Sequence, residues 1–215
     1  MKLYYWILNL LFPRKCVLCR NLLSKEETDL CRSCRVEAPA YPVRKTAPQF
    51  LDSFAAVWYY EDSVRQSLLR FKFYGARSYG DVYGRMVAMK AAETVEEGFD
   101  VLTWIPVSRL RKLRRGYDQV ELIAQAAGRE LGLTPVPTLK KIRHNRPQSR
   151  ISDEAMRRAN VLGAYRVTDP EKISGKRVLL LDDILTTGAT MSEAARMLKT
   201  AGAKEVHCAA VAARK

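Results

Sequence analysis

Residues 178–190 read Val-Leu-Leu-Leu-Asp-Asp-Ile-Leu-Thr-Thr-Gly-Ala-Thr, and this stretch decides the fold. Its four leading aliphatic residues predict a strand that is buried on both faces, as strands of a parallel sheet are. The strand delivers two adjacent carboxylates, Asp182 and Asp183, to one edge of the sheet. A short turn rich in threonine and glycine, residues 186–190, comes next. The stretch therefore predicts that polar groups collect at one edge of a parallel sheet.

A helix is predicted after this turn, because five apolar residues share one helical face: Met191, Ala194, Ala195, Leu198 and Ala201. Thr190 and Glu193 have the spacing of a capping box, and Gly202 is a typical stop. Unpaired backbone N–H groups and the positive end of the helix dipole converge where such a helix begins. We therefore expect the turn to cradle a phosphate.

The two aspartates lie one turn away from that phosphate. Their carboxylates can accept hydrogen bonds from a sugar diol or hold a divalent metal through oxygen ligands. The alternative is an ordinary strand–helix junction with solvated aspartates and a threonine cap. We favour a phosphosugar site, because the whole thirteen-residue string fits one better than either aspartate alone.

This string resembles the phosphoribosyl pyrophosphate signature of type I phosphoribosyltransferases. The resemblance implies that Asp182 and Asp183, the catalytic candidates, face the ribose hydroxyls. It also implies that five residues wrap the 5′-phosphate: Thr186, Thr187, Gly188, Ala189 and Thr190. In such enzymes Mg²⁺ accompanies the ligand and neutralises the departing pyrophosphate in an oxocarbenium-like state. Catalysis of this kind depends on positioning and electrostatics, so no protein nucleophile is required.

A second motif lies near the N-terminus, where Cys16-Val-Leu-Cys19 and Cys31-Arg-Ser-Cys34 form two Cys-x-x-Cys knuckles. Eleven residues separate the knuckles, which is close to the four-thiolate zinc pattern. We therefore expect one structural zinc held by all four thiolates. Disulfides and a redox-active pair are the alternatives, and the lack of a secretory cleavage site before the cysteines disfavours disulfides. Cys208 lies in an apolar strand and is expected to be inert.

The chain of 215 residues can hold one α/β domain and a small metal-stapled module. We divide it into an N-terminal helix and four-cysteine zinc finger, residues 1–45, and a domain of residues 46–215. Predicted strands and helices alternate in this domain, which indicates a parallel sheet flanked by helices, with ligands at the carboxyl ends of the strands. The apolar run 3–12 is too short to span a bilayer. We expect no transmembrane segment and a location in the cytoplasm, or at the inner face of the membrane.

Two basic segments are expected near the same edge. Pro106-Val107-Ser108-Arg109 follows a predicted strand, and five of the seven residues 109–115 are Lys or Arg. We predict that Val107, Ser108 and Arg109 face a pyrophosphate in a cationic loop; the alternative is a solvated basic surface. Residues 140–150 are polar and basic, which suits a mobile lid over a charged ligand.

Together the motifs resemble the ComF family of competence-associated proteins. The shared order begins with the zinc knuckles and continues with Pro-Val-Ser-Arg (106–109), Arg-Arg-Gly-Tyr-Asp-Gln (114–119), Arg-Pro-Gln (146–148), Arg-Arg-Ala-Asn (157–160) and the acid-and-threonine string. Within these motifs, Arg115, Gln148 and Arg157 are further loop candidates for the site. The resemblance implies a phosphoribosyltransferase-like domain behind a zinc finger, linked to uptake of single-stranded DNA during natural transformation. It does not supply an acceptor base.

The net charge of +14 supports a polyanionic partner, and both parts are basic, with +5 in residues 1–45 and +9 in the remainder. Seven aromatic residues are candidates for base stacking if they are exposed, although most are expected in the core: Tyr4, Tyr5, Trp6, Trp58, Tyr59, Tyr74 and Tyr117. Three functions follow: a DNA-uptake factor that binds single-stranded DNA and senses a sugar phosphate, which we favour; a phosphoribosyltransferase with an unidentified nitrogen acceptor; and an adaptor whose zinc module docks a DNA-uptake motor or channel.

Overall fold

The structure is a computed structural model, and it describes residues 13–42, 47–143 and 161–215. Some of the predictions fall on the remaining residues and so lie outside the described part of the chain. These are the N-terminal helix, most of the basic lid, and the loop candidates Gln148 and Arg157.

The described ranges contain helices and strands in the following order: α1 (Arg32–Glu37), β1 (Ser53–Tyr59), α2 (Asp62–Phe73), α3 (Tyr79–Ala92), β2 (Val101–Trp104), α4 (Arg109–Arg115), α5 (Gln119–Leu131), β3 (Leu139–Lys141), β4 (Tyr165–Val167), β5 (Arg177–Leu185), α6 (Ala189–Thr200) and β6 (Glu205–Ala213). A 3₁₀ turn, Pro170–Lys172, precedes β5.

Four of these strands form a parallel sheet in the order β1-β6-β5-β2. Strand β5 lies inside the sheet, between β6 and β2, and its aliphatic run Val178–Leu181 is buried on both faces. Two-sided burial requires apolar residues at consecutive positions, which is why this run signals a parallel strand. The predicted parallel sheet flanked by helices is confirmed. Strands β3 and β4 form a separate antiparallel pair.

Apolar side chains pack in two clusters, one on each face of the sheet. The first cluster joins α2, α3 and α5 to the sheet. Helices α3 and α5 approach closely at Gly84, where a Cβ would collide with the Cβ of Ala126. The second cluster joins α6 and the β3–β4 pair to the other face. Among the described residues, no helix is both long enough and apolar enough to span a membrane.

The cysteine knuckles pack against the first cluster. Cys16, Val17 and Leu18 are buried among side chains of α2 and α3, so this part of the chain shares a core with the sheet domain. Residues 39–41 also bind to the sheet edge: the Tyr59 N–H donates to the Pro39 carbonyl (2.7 Å), and the Tyr41 N–H donates to the Val57 carbonyl (3.0 Å). The division after residue 45 stays a prediction.

Two local predictions were wrong. The sequence also predicts a helix over residues 81–97, but the helix of the structure ends at Ala92. Thr190 does not cap α6, because Gly188 begins this helix in the left-handed conformation, with φ 76°. The Glu193 carboxylate instead accepts a hydrogen bond from the Gly163 N–H (2.8 Å) and pairs with Arg196 (2.8 Å). Gly188 tolerates the positive φ that this tight turn requires, and it brings no side-chain oxygen to the start of the helix.

Candidate functional site

The four knuckle cysteines form a metal-binding cluster. Their sulfur atoms all lie within 4.8 Å of one another, and the Cys19 and Cys31 sulfurs are 3.6 Å apart. Tetrahedral zinc with bonds of about 2.3 Å requires sulfurs roughly 3.8 Å apart, so the four thiols fit the ion. All four are free thiols, and 3.6 Å is far beyond the disulfide length of about 2.05 Å. The cluster supports structural zinc in place of disulfides.

Local hydrogen bonds give the knuckles their shape. In the first knuckle the Arg20 N–H donates to the Cys16 carbonyl (2.9 Å), and Arg20 adopts a left-handed φ of 70°. In the second, Cys31 precedes the short helix α1 as its N-cap residue, and the Glu27 carboxylate accepts from the Arg32 N–H (2.5 Å). Burial opposes ionisation of Cys16, but hydrogen bonds from the backbone N–H groups of Cys19 and Cys31 lower its pKa to about 7. For Cys16 this environment favours the thiolate that zinc binds, whereas burial and neighbouring thiols raise the pKa of Cys19 and Cys34.

Asp182 and Asp183 lie in β5, three and two residues before its end. Successive side chains of a strand point to opposite faces, so the two carboxylates have different surroundings. Asp182 lines a cleft with Thr186, Gly188 and Thr190 at the start of α6. Asp183 is buried on the face covered by α2 and α5, with 5% of its surface exposed. The sequence predicts the same role for both acids, whereas the structure places them in different surroundings.

Two groups hold the Asp183 side chain in place, and a third group fixes one of them. The Lys72 ammonium donates to Oδ1 (2.8 Å), and the Gln119 amide donates to Oδ2 (2.7 Å). The Gln119 amide oxygen in turn accepts a hydrogen bond from Arg115. The sequence does not predict that Lys72 in α2 or Gln119 in α5 contacts an acid of the site. Gln119 does fall in the Arg-Arg-Gly-Tyr-Asp-Gln motif, so membership of this motif was a usable signal.

Within the described ranges, Asp182 has no comparable ion pair, and its carboxylate accepts the Asp183 N–H (2.8 Å). Burial and the charge of Asp183 raise the pKa of Asp182 to about 8. Lys141 of β3 faces the same area: its ammonium lies 3.5 Å from the Tyr165 hydroxyl, and burial lowers its pKa to about 8. The prediction of a mobile lid over residues 140–150 is wrong at Lys140 and Lys141, because both lie in β3.

The raised pKa of Asp182 predicts a specific pH dependence of stability. An acid that holds its proton more tightly in the folded state makes the free energy of unfolding fall as pH rises between its two pKa values. These values are 3.8 for the ordinary group and about 8 in the fold. We expect stability in urea to decrease from about pH 5 to about pH 8, and Asp182→Asn to reduce this slope. Parallel pH profiles for the two proteins would contradict the assignment.

The proposed phosphate loop connects β5 to α6 as expected. Gly188 of this loop packs against the Pro48 ring. A Cβ at position 188 would lie 3.1 and 3.2 Å from two Pro48 carbons. The Thr187 hydroxyl is buried and, within the described part of the chain, makes no hydrogen bond. Ala189 and Thr190 occupy the first turn of α6, the end of a helix at which anions bind.

The loop after β2 lies beside the acids, because the Ile105 N–H donates to the Leu181 carbonyl (2.9 Å). The Val107 N–H donates to the Asp118 carboxylate (3.1 Å), and the buried Ser108 caps the next element. That element is a helix, so the prediction of a cationic loop over 109–115 was wrong in form. Helix α4 ends at Gly116, which has a φ of 80°. Arg109 is exposed at its first position, and Arg115 lies at its last, above the Phe73 ring.

Two family models match the chain: a phosphoribosyl transferase domain over residues 121–215 and a double zinc ribbon domain over residues 7–45. The chain is similar to Competence protein F of Haemophilus influenzae, with 24% identity over 91% of this chain and 95% of that protein. Competence protein ComFC of Streptococcus pneumoniae is 33% identical over 72% of this chain and 65% of its own length. ComFC of Bacillus subtilis is 26% identical over 87% of this chain and 78% of its own.

Proposed function

The chain belongs to the ComF family of competence proteins, and from this premise we propose that it is a DNA-uptake protein that binds phosphoribosyl pyrophosphate, or a related sugar phosphate, and single-stranded DNA. One observation carries the sugar-phosphate part: the phosphate loop presents a left-handed Gly188, a buried Thr187 hydroxyl with no partner among the described residues, and a helix start beside Asp182. Buried polar groups are normally satisfied, so an unpaired hydroxyl in this loop favours a ligand oxygen there.

In this proposal the chain's own groups divide the ligand between them. The loop 186–190 binds the 5′-phosphate, and Asp182 with the remaining lone pairs of Asp183 accepts the ribose hydroxyls. Val107, Ser108 and Arg109 contact the pyrophosphate. The carboxylate oxygens of the site are the hard ligands that Mg²⁺ prefers, and a bound Mg²⁺ would neutralise pyrophosphate charge. Lys141 and Arg111, which influence each other electrostatically, add cationic charge beside Asp182.

Transfer of ribose 5-phosphate to a nitrogen acceptor is the second candidate function. The site would act by positioning and by stabilising charge, since it needs no nucleophile of its own. Incubation with phosphoribosyl pyrophosphate, Mg²⁺ and a panel of bases tests this directly. Pyrophosphate release that depends on one base would establish the enzyme, whereas binding without release would leave a sugar-phosphate sensor. A third role, in which the zinc module docks a motor or channel, stays a prediction.

The DNA part of the proposal is supported by a surface that combines charge with exposed rings. Phe73 and Tyr74 at the end of α2 are 66% and 79% exposed, and the Arg115 guanidinium lies 5.4 Å above the Phe73 ring. The basic helix α4 adjoins them. Five basic residues near the knuckles are also exposed: Arg14, Lys15, Arg20, Arg32 and Arg35. Tyr74 was predicted as a stacking residue and Phe73 was not; of the other predicted residues in the described ranges, Trp58 and Tyr117 are buried in the core and Tyr59 is half-buried.

The logarithm of the affinity for single-stranded DNA should therefore fall linearly with the logarithm of the salt concentration, with a slope of about −0.7 per phosphate neutralised. Replacing Arg109, Arg111 and Arg114 by glutamine should make that slope shallower. The matched control replaces Lys172, Lys176 and Lys204 by glutamine. These residues are exposed and lie just before β5 and β6, at the amino ends of the strands, so the slope should stay unchanged. Fluorescence anisotropy measures both, and equal slopes in the two variants would exclude α4 from the DNA site.

Strand preference separates stacking from simple charge attraction. Phe73→Ala with Tyr74→Ala should weaken single-stranded binding, since stacking contributes roughly 1–3 kcal/mol per base, and should change duplex binding little. Anisotropy with both substrates at matched salt gives the comparison. Equal or tighter binding of duplex by the unmodified protein would argue against the DNA proposal and would leave the enzyme as the remaining function.

A further inference from the structure

We propose that helix α2 couples the zinc module to the carboxylate site, so that zinc binding and ligand binding at Asp183 reinforce each other. The ligand itself rests on the proposed function, whereas the coupling rests on contacts that α2 makes with both sites. Arg70 and Lys72 are the positioning residues in this arrangement.

One set of contacts joins α2 to the first knuckle. The Ser67 hydroxyl donates to the Val17 carbonyl and lies 2.5 Å from the Tyr83 hydroxyl. The Arg70 guanidinium donates to the same carbonyl (3.2 Å) and to that of Leu18. Both carbonyls belong to the residues between Cys16 and Cys19, so the metal-bound form of this knuckle determines where they lie. Buried carbonyls require donors, so α2 and the knuckle hold each other in register.

The other set joins the end of α2 to the acid. Lys72 binds Asp183 at 2.8 Å in a largely buried ion pair. The Phe71 carbonyl accepts a hydrogen bond from the Tyr117 hydroxyl, and Phe73 lies under Arg115. Arg70 and Lys72 are two residues apart in the chain, which corresponds to about 3 Å along a helix. A shift of α2 at the knuckle is therefore transmitted almost directly to the ammonium that orients Asp183.

Loss of zinc would release the Val17 and Leu18 carbonyls from their fixed positions. Ser67 and Arg70 would then lose their buried acceptors, and α2 would move towards a position that satisfies them elsewhere. Lys72 would move with it, which would leave Asp183 oriented by Gln119 alone. Coupling between two sites is reciprocal, so a ligand that fixes Asp183 must also tighten zinc binding by the same factor.

Two variants separate coupling through α2 from general loosening of the module. Arg70→Met removes the arginine donors to both knuckle carbonyls and leaves the cysteines and Asp183 intact. Arg85→Met is the matched control, because Arg85 binds Asp29 of the module (2.6 Å) but lies on α3. Hydrogen exchange of the zinc-loaded proteins should become faster at residues 71–74 and 182–184 in Arg70→Met only. Equal exchange in the two variants would overturn the proposal, and this comparison requires no ligand.

The reciprocal measurement is competition for zinc by a chromogenic chelator, with and without phosphoribosyl pyrophosphate and Mg²⁺. We expect the ligand to raise zinc affinity at least about fivefold in the unmodified protein and in Arg85→Met, and to have little effect in Arg70→Met. Unchanged zinc affinity in a protein that binds the ligand would overturn the coupling. If titration shows that the ligand does not bind, the proposed function fails, and the exchange comparison still decides the coupling.

Discussion

Replacing Cys31 with serine should abolish zinc binding and loosen residues 13–38. A zinc ion bound by four thiolates contributes about 10–16 kcal/mol in small metal-dependent peptides, which equals or exceeds the whole stability of most domains. The sheet domain should remain folded, because its own core surrounds β5. Its midpoint of thermal unfolding should nevertheless fall, since Val17 and Leu18 would leave the core that they share with α2 and α3. Elemental analysis and limited proteolysis check the two parts.

The control for this experiment is Cys208→Ala. Cys208 is buried in β6, and burial raises the pKa of its thiol, so it is inert and remote from the cluster. This variant should keep one zinc per chain. Unmodified protein that contains no zinc when purified fresh and reduced would contradict the account, as would Cys31→Ser protein with its full zinc content.

Asparagine at both Asp182 and Asp183 should weaken binding of phosphoribosyl pyrophosphate by about a hundredfold or more. Above about pH 8, where Asp182 is ionised, each carboxylate is proposed to accept a charge-assisted hydrogen bond from the ribose, and losing two such bonds costs roughly 3 kcal/mol. Calorimetric titration in the presence of Mg²⁺ measures the loss. Unchanged affinity in folded double-variant protein would remove both residues from the site.

The structure shows that the two substitutions differ in their effect on stability. Asp183→Asn leaves the Lys72 ammonium without its carboxylate, and breaking a buried pair in this way costs about 3–5 kcal/mol. Asp182→Asn breaks no ion pair in the described part of the chain, so it should weaken ligand binding without the loss of stability expected for Asp183→Asn. Asp183→Asn combined with Lys72→Met removes both charges and should recover part of the stability without recovering affinity.

Features that depend on neighbouring residues could be predicted from the sequence. The run Val178–Leu181 predicts a parallel strand because burial on both faces demands consecutive apolar residues. Two knuckles at close spacing predict a zinc cluster because four thiolates on a short loop can meet at one ion. The cap of α5 is similarly local, because Asp118 and Glu121 have the spacing of a capping box. The Asp118 carboxylate accepts from the Val120 N–H (3.0 Å) and the Glu121 N–H (3.2 Å).

Features that depend on residues far apart in the sequence could not be predicted from it. Lys72 and Asp183 are 111 positions apart, and only the packing of α2 over β5 brings them together. Helix α4 was missed because none of its residues is buried, so it has no apolar period. Its signals were the Ser108 cap and the left-handed Gly116, which mark helix ends without any core-facing residue between them.

Hydrogen exchange of the backbone amides, with and without phosphoribosyl pyrophosphate and Mg²⁺, tests the central claim most directly. The amides of residues 186–190 at the start of α6 are proposed to donate to the 5′-phosphate, so bound ligand should slow their exchange. Residues 107–109 should be protected as well, and Asp182→Asn should diminish both effects at the same ligand concentration. Protection that occurs elsewhere, or unchanged exchange over 186–190 at saturating ligand, would contradict the assignment of the phosphate loop.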